Sequence, residues 1–285
     1  YVTVHRRFED NFRVSYSKTE FARSVSEIPH ELVRESMLSA GINQPLEVTT
    51  IADVPAGTGL GSSSTLTVGL LNAFRAVGGK GSSSEALAEL ACGIEIDTLR
   101  NPIGKQDQYA AAFGGMNYIR FNSDGTVKVD RIPCSRDLFK HIESHSLMVY
   151  TDQQRSASEI LDKQTKGTGD KLAVLREMRD MAGEMKTIVS SGANMQDFGR
   201  VLDEGWRLKR SLGFGITNSL IDDWYQAAKN AGAIGGKLLG AGGGGFLYFI
   251  APPERHERIL AALGNPKTLP VSFDSQGSRV VFISH

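Results

Sequence analysis

Residues 55–65 read PAGTGLGSSST. Gly57, Gly59 and Gly61 allow a backbone to approach a ligand closely and to adopt positive φ. Ser62, Ser63 and Ser64 follow, and the apolar run over residues 66–77 reads as a buried helix. A helix N-terminus presents unpaired N–H groups and a partial positive charge, which suits an oligophosphate. The serines add hydroxyl donors or a ligand for magnesium. The loop is not a Walker A motif, because no Gly-Lys-Ser/Thr closes it, and its GxGxG spacing departs from the dinucleotide fingerprint. A Gly/Ser turn in isolation reads as a flexible connection. Here the turn follows the β-branched, alternating LEVTTI of residues 46–51 and precedes an apolar helix, which favours a phosphate loop.

Outward from this loop, Val2 to Val4 alternate with polar residues and predict a strand. Residues 30–40 (HELVRESMLSA) predict a helix closed by Gly41, and residues 84–96 predict another behind serine N-caps. Residues 116–121 and 126–132 read as strands joined at Ser123-Asp124-Gly125, and residues 147–151 as a further strand. The polar segment 153–170 reads as a mobile connection. Three apolar stripes then predict core helices: Leu172 to Val189, Phe198 to Leu208, and Leu220 to Ala228. Phe246 to Ile250 predicts a strand, Pro252-Pro253 opens a helix, and residues 279–283 predict a last strand. Strands and helices are mixed without strict βαβ alternation, which predicts α+β architecture. We expect two domains, 1–144 and 145–285.

Bulk properties exclude several classes. Lysine plus arginine and aspartate plus glutamate each number 32 in 285 residues, with no basic run, so nothing points to nucleic acid. No apolar stretch is long enough to span a bilayer, and the two cysteines, Cys92 and Cys134, read as reduced thiols of a cytoplasmic protein.

Two further stretches carry chemistry. Residues 95–115 (EIDTLRNPIGKQDQYAAAFGG) place Glu95, Asp97 and Asp107 around an Asn101-Pro102 turn. Phosphoryl transfer needs a magnesium ligand and a group that orients or deprotonates the acceptor hydroxyl. Two carboxylates about a dozen residues apart across a turn supply both, although exposed carboxylates are more often solvated surface. Residues 238–246 (LLGAGGGGF) are poor helix or strand material and predict close backbone approach to a ligand or another loop.

Together these residues carry a resemblance. PAGTGLGSSST resembles the ATP-binding motif of the GHMP kinases, the family of galactokinase, homoserine kinase, mevalonate kinase and phosphomevalonate kinase. The resemblance implies a two-domain α+β fold: a ribosomal protein S5 domain 2-like N-terminal ATP-binding domain and a ferredoxin-like C-terminal domain. It implies that Pro55, Gly57, Gly59, Leu60, Gly61, Ser62, Ser63 and Ser64 wrap the phosphates of ATP. Asp107 with Gly114-Gly115 matches the family's catalytic aspartate pattern. Glu95, with Ser63, matches the Mg²⁺ ligands, although an extra residue before Asp107 leaves Asp97 open as the alternative. Lys105 is expected to lower the pKa of Asp107 or to stabilise the transferred phosphoryl group.

The glycine loop at 238–246 is similar to the family's third motif, which packs over the phosphate loop and substrate, with Gly242 and Gly243 at the substrate. RVSYSKTE (residues 13–20), WRLKRSLGFGITN (206–218) and GAIGGKLLGAGGGG (232–245) resemble the heptose-7-phosphate 1-kinase branch and, more distantly, the kinase part of fucokinase. That branch implies phosphorylation of the anomeric hydroxyl of a heptose 7-phosphate, with an L-fucose-type sugar 1-kinase as the alternative. A catalytically silent sugar and nucleotide sensor is the alternative of another class, which the retained Asp107 disfavours. The sugar's own phosphate requires a cation, and Lys209, Arg210 and Lys237 are candidates, with Lys209 preferred. The expected partners are ATP and a sugar phosphate, with a homodimer as one allowed assembly. The family's first glycine-rich motif has no counterpart in the sequence and is expected upstream of Tyr1.

Overall fold

The computed structural model describes residues 1–153, 171–213 and 215–284, so the expected polar connection lies outside the described residues beyond Gln153. The chain forms two compact units. One comprises Tyr1–Ala56, Gly61–Gly114 and the stretch from Asp274 onward; the other comprises Gly57–Leu60 and Gly115–Phe273.

The first unit is built on a four-stranded sheet. Its strands are β1 (Val2–Arg6), β2 (Phe12–Ser15), β3 (Thr19–Ala22) and β4 (Leu46–Thr50), in the order β1-β4-β2-β3. β4 runs antiparallel to β1, with Val2 opposite Thr50, and parallel to β2, with Val14 opposite Val48. Alternation decides which face is covered: Phe12, Val14, Leu46 and Val48 are buried. They pack with Val33 and Met37 of α1 (Glu31–Ala40) and with Leu70 and Phe74 of α2 (Ser62–Val77) in one hydrophobic cluster. Gly41 ends α1 in the left-handed conformation at φ 71°. α2 begins at Ser62, so the three serines are its first turn. α3 (Ser84–Cys92) passes directly into a π-helical turn, Gly93–Thr98, where the sequence predicted one continuous helix to residue 96. It packs against α4 (Gln106–Phe113).

The second unit holds the hairpin β5 (Asn117–Phe121) and β6 (Val127–Arg131), α5 (Arg136–His145) and β7 (Ser146–Tyr150). Three longer helices come next: α6 (Leu172–Ser190), α7 (Met195–Ser211) and α8 (Ser219–Ala231). β8 (Gly235–Leu238), β9 (Phe246–Ile250), a 3₁₀ turn at Pro253–Arg255, α9 (His256–Ala262) and β10 (Thr268–Leu269) complete it. The antiparallel sheet runs β10-β7-β9-β8. Its core combines Val149, Leu247 and Phe249 with Trp206, Ile221 and Tyr225. Asn194 and Asn218 cap α7 and α8, their side chains accepting from Gln196 and Asp197 N–H and from Ile221 N–H respectively.

One expectation, the strand at residues 279–283, requires correction. By compactness the two units divide at Gly114 and Gly115. The β5–β6 hairpin belongs with the helices of the second unit: Ile132 shares a cluster with Ile142, Val189 and Phe198, and Lys186 of α6 pairs with Asp130 at 3.0 Å. Residues 279–283 form no strand. They have no ladder partner among the described residues, and Val281 and Phe282 are 72% and 80% exposed. A β-branched run becomes a strand only when a neighbour accepts its hydrogen bonds.

Candidate active site

The phosphate loop leaves β4 and enters α2 through three glycines at positive φ: Gly57 (79°), Gly59 (78°) and Gly61 (66°). No side chain caps α2. The first N–H groups of an uncapped helix lack an internal partner, so Ser62, Ser63 and Ser64 offer their amides to a ligand. Ser63 is exposed and Ser64 buried, and the Ser63 carbonyl accepts from the Thr67 hydroxyl at 2.9 Å. Asp107, in the first turn of α4, lies against this helix start. A Cβ on Gly61 would stand 3.2 Å from both the carboxyl carbon and Oδ2 of Asp107. A side chain at residue 61 would crowd this carboxylate and strain the left-handed backbone there.

Desolvation raises the Asp107 carboxyl above its ordinary value. The shift is upward, contrary to the lowered value expected from Lys105. The charge of that lysine is felt at Cys92, where it opposes a larger desolvation that pushes the thiol up to about 11. Both cysteines are free thiols.

Glu95 sits on the π-helical turn, fully buried. Such turns recur at functional sites, and this one is followed by Arg100 in a left-handed conformation at φ 57°. Glu95 Oε1 accepts from Gln108 Nε2 at 2.8 Å, while Oε2 has no hydrogen-bond partner. A buried carboxylate with an orphan oxygen is costly unless a cation or donor meets it, so Glu95 fits a Mg²⁺ ligand. Asp97 is exposed and carries no such signal. No group of three or more potential ligand side chains exists among the described residues. Gln108 escaped the sequence reading. Its signal was its place beside Asp107, but only the fold shows that its amide holds Glu95.

The second glycine loop packs on the phosphate loop at two points inside the second unit. A Cβ on Gly240 would lie 2.5 Å from the Gly59 Cα, and one on Gly245 would strike the Thr58 carbonyl. Gly242 and Gly243 are used differently: a Cβ on Gly242 would meet Ile216, and Gly243 N–H donates to the Ile216 carbonyl at 2.8 Å. Of the basic candidates, Arg210 pairs with Asp222 at 3.0 Å and lies 5.8 Å from the ring centroids of Trp206 and Tyr225. Lys209 donates to the Gly240 carbonyl at 2.5 Å.

Residues 25–115 match the GHMP kinases N terminal domain, and residues 185–267 match the GHMP kinases C terminal. The chain belongs to the GHMP kinases. This GHMP kinase is 32% identical over 216 residues to D-glycero-alpha-D-manno-heptose 7-phosphate kinase of Campylobacter jejuni. The match covers 75% of the chain and 63% of that enzyme. It is 28% identical to L-fucokinase/L-fucose-1-P guanylyltransferase of Bacteroides fragilis, over 88% of the chain and 27% of that protein. The crystal structure of a D-glycero-D-manno-heptose 1-phosphate kinase from Bacteroides thetaiotaomicron is similar with a TM-score of 0.78 at 26% identity, covering 97% of the chain and 84% of that structure. Streptococcus pneumoniae phosphomevalonate kinase, in complex with phosphomevalonate and AMPPNP, shares the fold at a TM-score of 0.77 and 12% identity, over 96% of the chain and 89% of that structure. No helix of this GHMP kinase among the described residues is long and apolar enough to cross a membrane.

Proposed function

We propose that this chain transfers the γ-phosphoryl group of ATP to the anomeric hydroxyl of D-glycero-D-manno-heptose 7-phosphate, giving the 1,7-bisphosphate and ADP. The observation that carries the reading is the convergence of the Asp107 carboxylate on Gly61, at the uncapped start of α2. The loop amides and serine hydroxyls hold the triphosphate oxygens. Asp107 accepts a hydrogen bond from the sugar O1–H and takes its proton as O1 bonds to the γ-phosphorus and the bond to the β-phosphate oxygen breaks. Because such transition states are loose, orientation of O1 matters more than basicity. Glu95 and Ser63 would hold Mg²⁺, which when bound neutralises charge on the phosphate oxygens. The similarity to the Campylobacter heptose kinase supports the sugar phosphate as acceptor. The similarity to the fucokinases supports a free sugar as the second reading. ATP as the phosphoryl donor favours a cytoplasmic reaction.

The test is ADP release with heptose 7-phosphate and with L-fucose. Wild-type turnover with the former, and a kcat about 100-fold lower or worse in Asp107→Asn, is the expected result. Equal turnover by the variant removes Asp107 from catalysis. Failure of the wild type with every sugar removes the kinase reading in favour of a sensor.

A further inference from the structure

Four basic residues lie on α7, and three have carboxylates. Arg200 pairs with Glu204 at 3.4 Å, Arg207 with Asp203 at 3.6 Å and Arg210 with Asp222 at 3.0 Å. On α8, Lys229 pairs with Asp203 at 3.4 Å. Lys209 is the exception: its only partner among the described residues is the neutral Gly240 carbonyl. Lys237 on β8 likewise has no carboxylate partner among the described residues.

α7 lies along β8, with Gly199 against Gly235 and, further on, Lys209 Nζ on the carbonyl of Gly240, three residues past Lys237. A Cβ on Gly235 would strike the Gly199 carbonyl of α7, and one on Gly199 would lie 2.6 Å from Ile234 Cγ2. Side chains two apart share a strand face, so Lys237 points with Gly235 toward α7. There its charge acts on Lys209, and this repulsion together with a larger desolvation lowers Lys209 to about 8; desolvation lowers Lys237 as well. A helix C-terminus favours one lysine through its dipole, which accounts for Lys209 but not for Lys237. Two half-buried ammonium groups placed together without counter-charge are unfavourable until an anion joins them.

We propose that Lys209 and Lys237 form a paired-lysine seat for a phosphate monoester, the sugar's own phosphate, and that this seat makes the acceptor a phosphorylated rather than a neutral sugar. The proposal rests on the kinase reading for its ligand, and on the second unit alone for its geometry. Arg210, committed to Asp222 and two aromatic faces, stands outside the seat. The nucleotide is the other possible source of phosphate, because the Gly240 that Lys209 holds abuts Gly59 of the phosphate loop.

The experiment compares wild type with Lys237→Met, Lys237→Arg and Lys209→Met. It measures KM for heptose 7-phosphate, KM for ATP, and calorimetric binding of heptose 7-phosphate without nucleotide. A charge-assisted contact of roughly 1.5–3 kcal/mol corresponds to a rise of about 10- to 150-fold in KM and Kd for the sugar phosphate. Each Met variant should show this, with KM for ATP within about twofold of wild type and Lys237→Arg in between. The preference for heptose 7-phosphate over unphosphorylated heptose should shrink by the same factor. A rise in KM for ATP alone assigns the seat to the nucleotide and overturns the proposal, as does an unchanged KM and Kd for the sugar phosphate. Wild type that binds heptose 7-phosphate through these lysines without turning it over keeps the seat and rejects the kinase reading. Turnover insensitive to the lysines does the reverse.

Discussion

Asp107 is held against Gly61 with its carboxyl raised by desolvation. A raised folded-state value means that the native protein binds the Asp107 proton more tightly than the unfolded chain does. The carboxylate therefore destabilises the fold above the raised value, and the penalty disappears as pH falls into the ordinary carboxylate range. Asp107→Asn should accordingly raise Tm at neutral pH while removing activity. The gain should shrink as the pH of a thermal scan is lowered through that window, and a Tm lowered at pH 7 would contradict this account. Sites that keep a charge where the fold disfavours it commonly trade stability for activity.

At the scale of elements, the contact of α7 with β8 is made of glycines because any side chain at the crossing is excluded. Gly235→Ala places a methyl on the Gly199 carbonyl and against Asp203 Cβ at 3.0 Å. Relief requires α7 to move off the strand. Overpacking of this kind costs about 1–3 kcal/mol, visible as a lower urea midpoint. Because α7 carries Lys209 and β8 carries Lys237, the KM for the sugar phosphate should rise with it. A variant as stable as wild type with the same KM would show that the crossing does not set the lysine spacing. The π-helical turn shows the same logic: periodicity predicted a plain helix through Ile96, and widening at Gly93–Thr98 instead turns Glu95 into the interior, where Gln108 holds it.

Across the whole molecule, the segment from Asp274 onward returns to the first unit. Gly277 (φ 66°) lies on α4: a Cβ there would stand 2.6 Å from the Ala112 carbonyl oxygen and from the Phe113 carbonyl carbon. Ser278 N–H donates to the Ala111 carbonyl at 3.0 Å, and its hydroxyl accepts from Asn72 at 3.1 Å. The return thus braces both α4, which bears Asp107 and Gln108, and α2, which starts at the phosphate loop. Gly277→Val combines a left-handed β-branched residue with a backbone clash and should cost about 1–3 kcal/mol, with a loss of kcat through displaced α4. Denaturation midpoint and single-turnover rate check this; a stable variant with an unchanged rate would show that the return does not support the site.

Local pattern was enough for much of this protein. Alternation located β1 and β4, apolar runs and stripes located α2, α6, α7 and α8, and the Gly/Ser loop pointed to phosphate binding, because these signals depend on neighbours in sequence, whereas β2, β3, α4 and α5 gave no pattern strong enough to read. Tertiary structure decided the rest. Residues 279–283 have strand composition but lack a ladder partner among the described residues, and hairpin β5–β6 joined the second unit through Ile132 and Lys186. Which cations remain uncompensated depended on distant carboxylates: Asp222 takes Arg210, while Lys209 and Lys237 have no carboxylate partner among the described residues. Charge and hydrogen bonding are satisfied in space, so their balance is absent from any local stretch of sequence.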